Sequence, residues 1–110
     1  MTVVVRPRSP EGWTVVVVTG RLDAMTSPDL EADLAELLVD EPVRLALEFS
    51  GVDYMASPGL RVLLHALKTT GRSGGQMCLV APRVMVRKVL AQSGVERLLV
   101  IGEAIESLPS

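Results

Sequence analysis

The residues best placed to do chemistry lie in one stretch, Glu48-Phe49-Ser50-Gly51-Val52-Asp53-Tyr54-Met55-Ala56-Ser57-Pro58-Gly59-Leu60-Arg61-Val62-Leu63-Leu64. A strand ends near Phe49, a turn forms, and Ser57 is left at the mouth of a helix. A serine there has two compatible uses. As an N-cap, its hydroxyl accepts a backbone N–H two or three residues on, worth about 0.5 to 2 kcal/mol. As a phosphorylation site, it would set a dianion against the positive end of the helix, where the charge is tolerated. Gly59 permits close approach of a partner or phosphate, whereas Pro58 deletes one donor from the helix mouth. Arg61, His65 and Lys68, followed by Arg72, form a basic stripe that reads as a solvated helix face or as a docking surface for an acidic partner.

Other chemistry has little to stand on. The chain has one histidine and one cysteine, so no Cys/His metal cluster is available, and no cofactor-binding pattern is expected. Gly71-Arg72-Ser73-Gly74-Gly75 follows a helix and lacks the Gly-Lys-Ser/Thr of a phosphate-binding loop. Cys78, inside an apolar run, reads as a small buried residue. Met25, Met55, Met77 and Met85 read as packing. A small enzyme using Ser57, Asp23 and His65 lacks a spacing that builds a proton relay. A net charge of −2, with Trp13, Phe49 and Tyr54 as the aromatic residues, argues against coating or stacking on nucleic acid.

The elements that must position Ser57 follow from periodicity. At 110 residues, 48% of them apolar, the chain suits a single domain spanning residues 1–110. Val3 to Val5 and Trp13 to Val18 are β-branched runs separated by Pro7, Ser9, Pro10 and Gly12, hence strand, turn, strand. Leu30, Leu34, Leu37 and Leu38, with acidic residues between them, predict a helix capped by Ser27 and opened by Pro28. Val43 to Phe49 alternates as a strand with one face less buried. Leu60, Leu63, Leu64 and Leu67 predict a second helix that runs out near Gly71 to Gly75. Met77 to Val80 is a strand, and Pro82 opens a third helix closed by a left-handed Gly94. Leu98 to Ile101 is a last strand, and Glu103 to Leu108 a short terminal helix. The order ββαβαβαβ(α) predicts an α/β fold with a mostly parallel sheet and crossover helices. The start of the chain lacks an export-signal pattern and no run is long enough to span a bilayer, so a cytoplasmic protein without membrane insertion is expected.

Gly20-Arg21-Leu22-Asp23, the Ser27-Pro28-Asp29-Leu30 helix start and Val52 to Leu60 together resemble the STAS family, found in sulphate transporters and bacterial anti-sigma factor antagonists. Gly74 to Val80 and Val86 to Val95 extend the resemblance over nearly the whole chain. It implies a non-enzymatic partner-switching module that binds an anti-sigma factor with serine-kinase activity and lets go when a serine at the mouth of the second helix is phosphorylated. Ser57 matches that serine, and Asp23 matches an acidic residue of the partner surface near it. Gly59 and Arg61, beside Ser57, are assigned to the same surface. Where the family often has an acidic residue before the serine and a second serine after it, this chain has Ala56 and Pro58. The alternative the family offers is a scaffold subunit of a transporter or stress-signalling complex, with no phospho-switch.

Overall fold

The computed structural model describes residues 1–6, 12–38, 42–105 and 108. Strand β1 (Thr2–Arg6) leads to β2 (Thr14–Leu22), α1 (Ser27–Leu37), β3 (Arg44–Met55), α2 (Ser57–Arg72), β4 (Gln76–Val80), α3 (Val84–Ser93) and β5 (Val100–Gly102). A single turn of 3₁₀ helix (Val95–Arg97) precedes β5. The strands lie in sequence order in one sheet, β1 antiparallel to β2 and the remaining pairs parallel. This is the α/β fold with a mostly parallel sheet expected from the alternation of periods.

Consecutive parallel strands that are also neighbours force each crossover helix onto the same side of the sheet, because right-handed connections repeat in one direction. The core shows the result. Leu30 and Leu34 of α1, Val62 and Leu63 of α2, and Val86 and Leu90 of α3 share one buried cluster with Val16, Val18, Leu45, Leu47 and Leu79. The alternate strand residues Val15, Ala46, Cys78 and Val80 face the other way, covered by Trp13 and Leu108. Trp13 is 1% exposed, and the Arg44 guanidinium lies 4.3 Å from its ring centroid. The second face of β3 is the less buried one, as expected, with Arg44 and Glu48 half-buried, but Ala46 between them is fully buried in the cluster that holds Trp13 and Leu108.

Several sequence expectations shift. β3 does not stop near Phe49 but runs to Met55, with no turn at Ser50-Gly51. Gly51 serves close approach instead: a Cβ there would sit 2.7 Å from Thr19 Cγ2, and the β2–β3 register slips beside it, between Val17 and Thr19. The last strand starts later than Leu98, since Val95 to Arg97 is 3₁₀. The third helix ends as expected, with Gly94 at φ 81° and its N–H donating to the Ala91 carbonyl at 3.3 Å. The opening turn at 7–11 lies outside the described residues, as do 106 and 107 of the terminal helix expected over Glu103 to Leu108; Leu108 N–H donates to the Ile105 carbonyl at 3.2 Å. Among the described residues, no helix is long and apolar enough to cross a membrane.

Candidate phosphorylation and partner-binding site

Ser57 sits where β3 hands over to α2, and the handover is fixed by backbone bonds. Ala56 is extended (φ −112°, ψ 176°) and its N–H donates to the Leu22 carbonyl at the end of β2, 3.0 Å away. Its own carbonyl accepts from Gly59 N–H at 2.9 Å and from Leu60 N–H at 3.3 Å, the first closures of α2. Ala56 is therefore the N-cap and Ser57 the first helical residue. This corrects the capping expectation for Ser57: a side chain already inside the first turn points away from the free N–H groups it would have to reach. The side chain is exposed instead, and among the described residues its hydroxyl has no hydrogen-bond partner.

The same correction holds at α1, where Thr26 precedes the helix and Ser27 is its first residue. Thr26 does not cap either, because its hydroxyl is spent on the loop: it accepts from Asp23 N–H at 2.9 Å and donates to the Arg21 carbonyl at 2.8 Å. Asp23 Oδ1 accepts from Met25 N–H at 3.0 Å, Thr26 N–H at 3.2 Å and the Thr26 hydroxyl at 3.2 Å. Its other oxygen faces Arg21 Nε at 3.6 Å, and the Arg21 guanidinium also lies 4.3 Å from the Tyr54 ring centroid. Partial loss of water around the Asp23 carboxyl pushes its pKa up, but the bonds from Thr26 and Met25 and the pairing with Arg21 outweigh that and hold it below the usual carboxylate value. Asp23 thus shapes the loop beside Ser57, with its carboxylate already bonded. Asp-x-x-Thr at this spacing is the legible signal of such a loop.

Asp23 and Ser57 come together across the ends of β2 and β3, each one residue past the Leu22–Ala56 hydrogen bond. Gly59 does not join them at the surface. It is buried, and a Cβ there would lie 2.8 Å from Leu22 Cγ and 2.9 Å from Met55 Cγ; the close approach it permits is internal. Met25, expected in the core with the other methionines, is 85% exposed, because the bonded loop turns outward at that residue. Met55 and Met77 are buried as expected, and so is Cys78. Burial pushes the Cys78 thiol pKa up, partly offset by Arg44.

Arg61, His65, Lys68 and Arg72 are all exposed along α2. Between α1 and α2 a cleft of about 410 Å³ opens beside Ser57, bounded by Ser27, Glu31, Pro58, Arg61 and His65 among others. A smaller apolar recess of about 210 Å³ continues it past Leu34, Leu38 and Ala66. The triad imagined for an enzyme does not form. Ser57 and His65 lie about 12 Å apart along the axis of one helix, and the Asp23 carboxylate is taken up by its own loop.

Residues 4–108 match the family model described as the STAS domain. Over 62 residues the chain is 31% identical to the anti-sigma-F factor antagonist RsfB of Mycobacterium tuberculosis, a match covering 56% of this chain and 51% of the relative. The chain thus spans about half the length of that relative. The putative anti-sigma factor antagonist BtrV of Bordetella bronchiseptica is 30% identical over 84 residues, covering 76% of this chain and 72% of the relative. Among solved structures, an anti-sigma factor antagonist from Mycobacterium paratuberculosis superposes with a TM-score of 0.84 at 26% identity, covering 96% of this chain and 87% of that one.

Proposed function

The chain belongs to the STAS domain family, and from that premise we propose that it acts as an anti-sigma factor antagonist: it binds an anti-sigma factor with serine-kinase activity and is released when that partner phosphorylates Ser57. The observation that carries this reading is the exposed, unbonded hydroxyl of Ser57 on a rigid strand-to-helix junction. Exposure gives a kinase access, and rigidity makes one added group matter. The transfer forms a bond between Ser57 Oγ and the γ-phosphorus of ATP, breaks the β–γ bridge to release ADP, and frees the hydroxyl proton. The product carries about −1.5 to −2 charges at neutral pH. Set in a contact that excludes water, that charge must be dehydrated and repelled; a penalty of ~4 kcal/mol weakens binding about a thousandfold. Met25, exposed on the loop from Asp23 to Thr26 whose backbone is tied by hydrogen bonds to Asp23, supports the same surface, since an exposed, adaptable apolar side chain is a favourable contact for a protein partner.

The test is to incubate the protein with ATP and its cognate serine-kinase anti-sigma factor and to compare wild type, Ser57→Ala and Ser57→Asp by intact mass and by binding. One phosphate on wild type, none on Ser57→Ala and lost binding for Ser57→Asp are expected. No phosphate on wild type together with undiminished binding by Ser57→Asp rejects the switch.

A further inference from the structure

We propose that Arg61 is one group through which phosphate at Ser57 acts, beside the repulsion described above: in the unmodified chain its guanidinium takes an acidic side chain of the partner at the α1–α2 cleft, and phosphoserine at 57 withdraws it by pairing with it along the helix. This deepens the reading above and rests on it for the partner.

Residues four apart on a helix face one another, with Cβ atoms about 5 to 6 Å apart. Ser57 and Arg61 stand at that spacing, both inside α2 and both exposed. A guanidinium forks onto phosphate oxygens, and an acid that precedes its base by four residues is the favoured orientation. Arg61 is free for this, since among the described residues it has no ion pair and the first turn of α2 holds no acid.

The same arginine lines the cleft between the two helix starts, so one group can serve two acids in turn. The charges of that cleft decide where an acid can sit. Glu31 on the α1 wall repels an acid, so one that enters is held on the Arg61 side of the cleft. An acidic side chain entering over Pro58 meets Arg61 on the helix it shares with Ser57. Phosphate on Ser57, the residue before Pro58 of the cleft wall, competes from within the chain, where its effective concentration is set by one helical turn.

The first experiment needs neither kinase nor partner, so its failure falls on this inference alone. Phosphoserine is installed at 57 by genetic encoding, and the second phosphate ionisation is followed by ³¹P NMR in the otherwise wild-type chain, in Arg61→Gln, in Arg61→Lys and in Lys68→Gln. Pairing with Arg61 holds the ionisation below its ordinary value near ~6. Arg61→Gln is expected to raise it, Arg61→Lys to raise it less, and Lys68→Gln to leave it in place. No rise in Arg61→Gln, or an equal rise in Lys68→Gln, overturns the pairing. The second experiment measures binding to the cognate anti-sigma factor in a double-mutant cycle. Unmodified Arg61→Gln is expected to bind about tenfold more weakly, and phosphoserine at 57 to cost less affinity in Arg61→Gln than in wild type. Equal losses in the two backgrounds overturn the proposal even if the phospho-switch itself stands.

Discussion

Two α-helices begin on the same dipeptide, Ser27-Pro28 in α1 and Ser57-Pro58 in α2, at the ends of adjacent parallel strands. Local chemistry is alike at both: a serine at the first helical position, a proline suited to the second, and no side-chain cap. Their surroundings differ. The α1 junction takes four residues, Asp23 to Thr26, closed by a carboxylate and a hydroxyl, and that loop turns Ser27 inward until 3% of it is exposed. The α2 junction takes one extended residue, Ala56, and leaves Ser57 in solvent. A serine's availability for modification is decided by the path of the chain into the helix. The dipeptide itself does not decide it.

The largest effect that separates the junctions lies two residues on. Gly59 faces Leu22 and Met55 with no room for a Cβ, whereas Asp29, its counterpart in α1, is exposed. Gly59→Ala should cost about 1 to 3 kcal/mol through overpacking, against less than about 0.5 kcal/mol for Asp29→Ala, as read by urea denaturation. Equal costs at the two positions would mean that Leu22 and Met55 yield freely.

A smaller difference attaches to the serines themselves. Ser27 Oγ is buried without a partner, so Ser27→Ala is expected to stabilise by about 1 kcal/mol. Ser57→Ala, at an exposed hydroxyl, should stay within about 0.5 kcal/mol of wild type. A loss of stability in Ser27→Ala would show that its hydroxyl is bonded in solution and would erase the contrast.

The two junctions also show what a sequence can reveal. The leucine spacings of α1 and α2, the β-branched runs and Gly94 were legible because burial of one face imposes a period and a left-handed cap favours glycine. Ser57 at a helix mouth was legible for the same reason. That Ser27 is buried and Met25 exposed was not, because each depends on the loop from Asp23 to Thr26, whose shape comes from hydrogen bonds and not from hydropathy. The reach of β3 to Met55 was hidden by Ser50-Gly51, which has turn composition but whose glycine answers to Thr19 on the neighbouring strand. Gly59 looked like an approach point for a partner, since a glycine needed inside and one needed outside read alike.

The smallest expected effect uses the charge that only the α1 junction carries. Asp23 is held below its ordinary pKa by the N–H groups of Thr26 and Met25, the Thr26 hydroxyl and Arg21, against an opposing desolvation. A carboxylate whose folded pKa is depressed contributes stability that is present above its unfolded value, near ~3.9, and is lost as pH falls through the folded value. Asp23→Asn should therefore be less stable than wild type at neutral pH, and the gap should close in acid, below about pH 4. The α2 junction rests on Ala56 N–H and the Leu22 carbonyl, neither of which titrates. Amide hydrogen exchange can follow both in one sample: as pH falls, protection of Met25 and Thr26 N–H should drop relative to that of Ala56 and Gly59 N–H, after correction for intrinsic exchange. If the four amides lose protection in parallel, the Asp23 loop is not an independent acid-sensitive unit, and Ser27 owes its burial to helix packing instead.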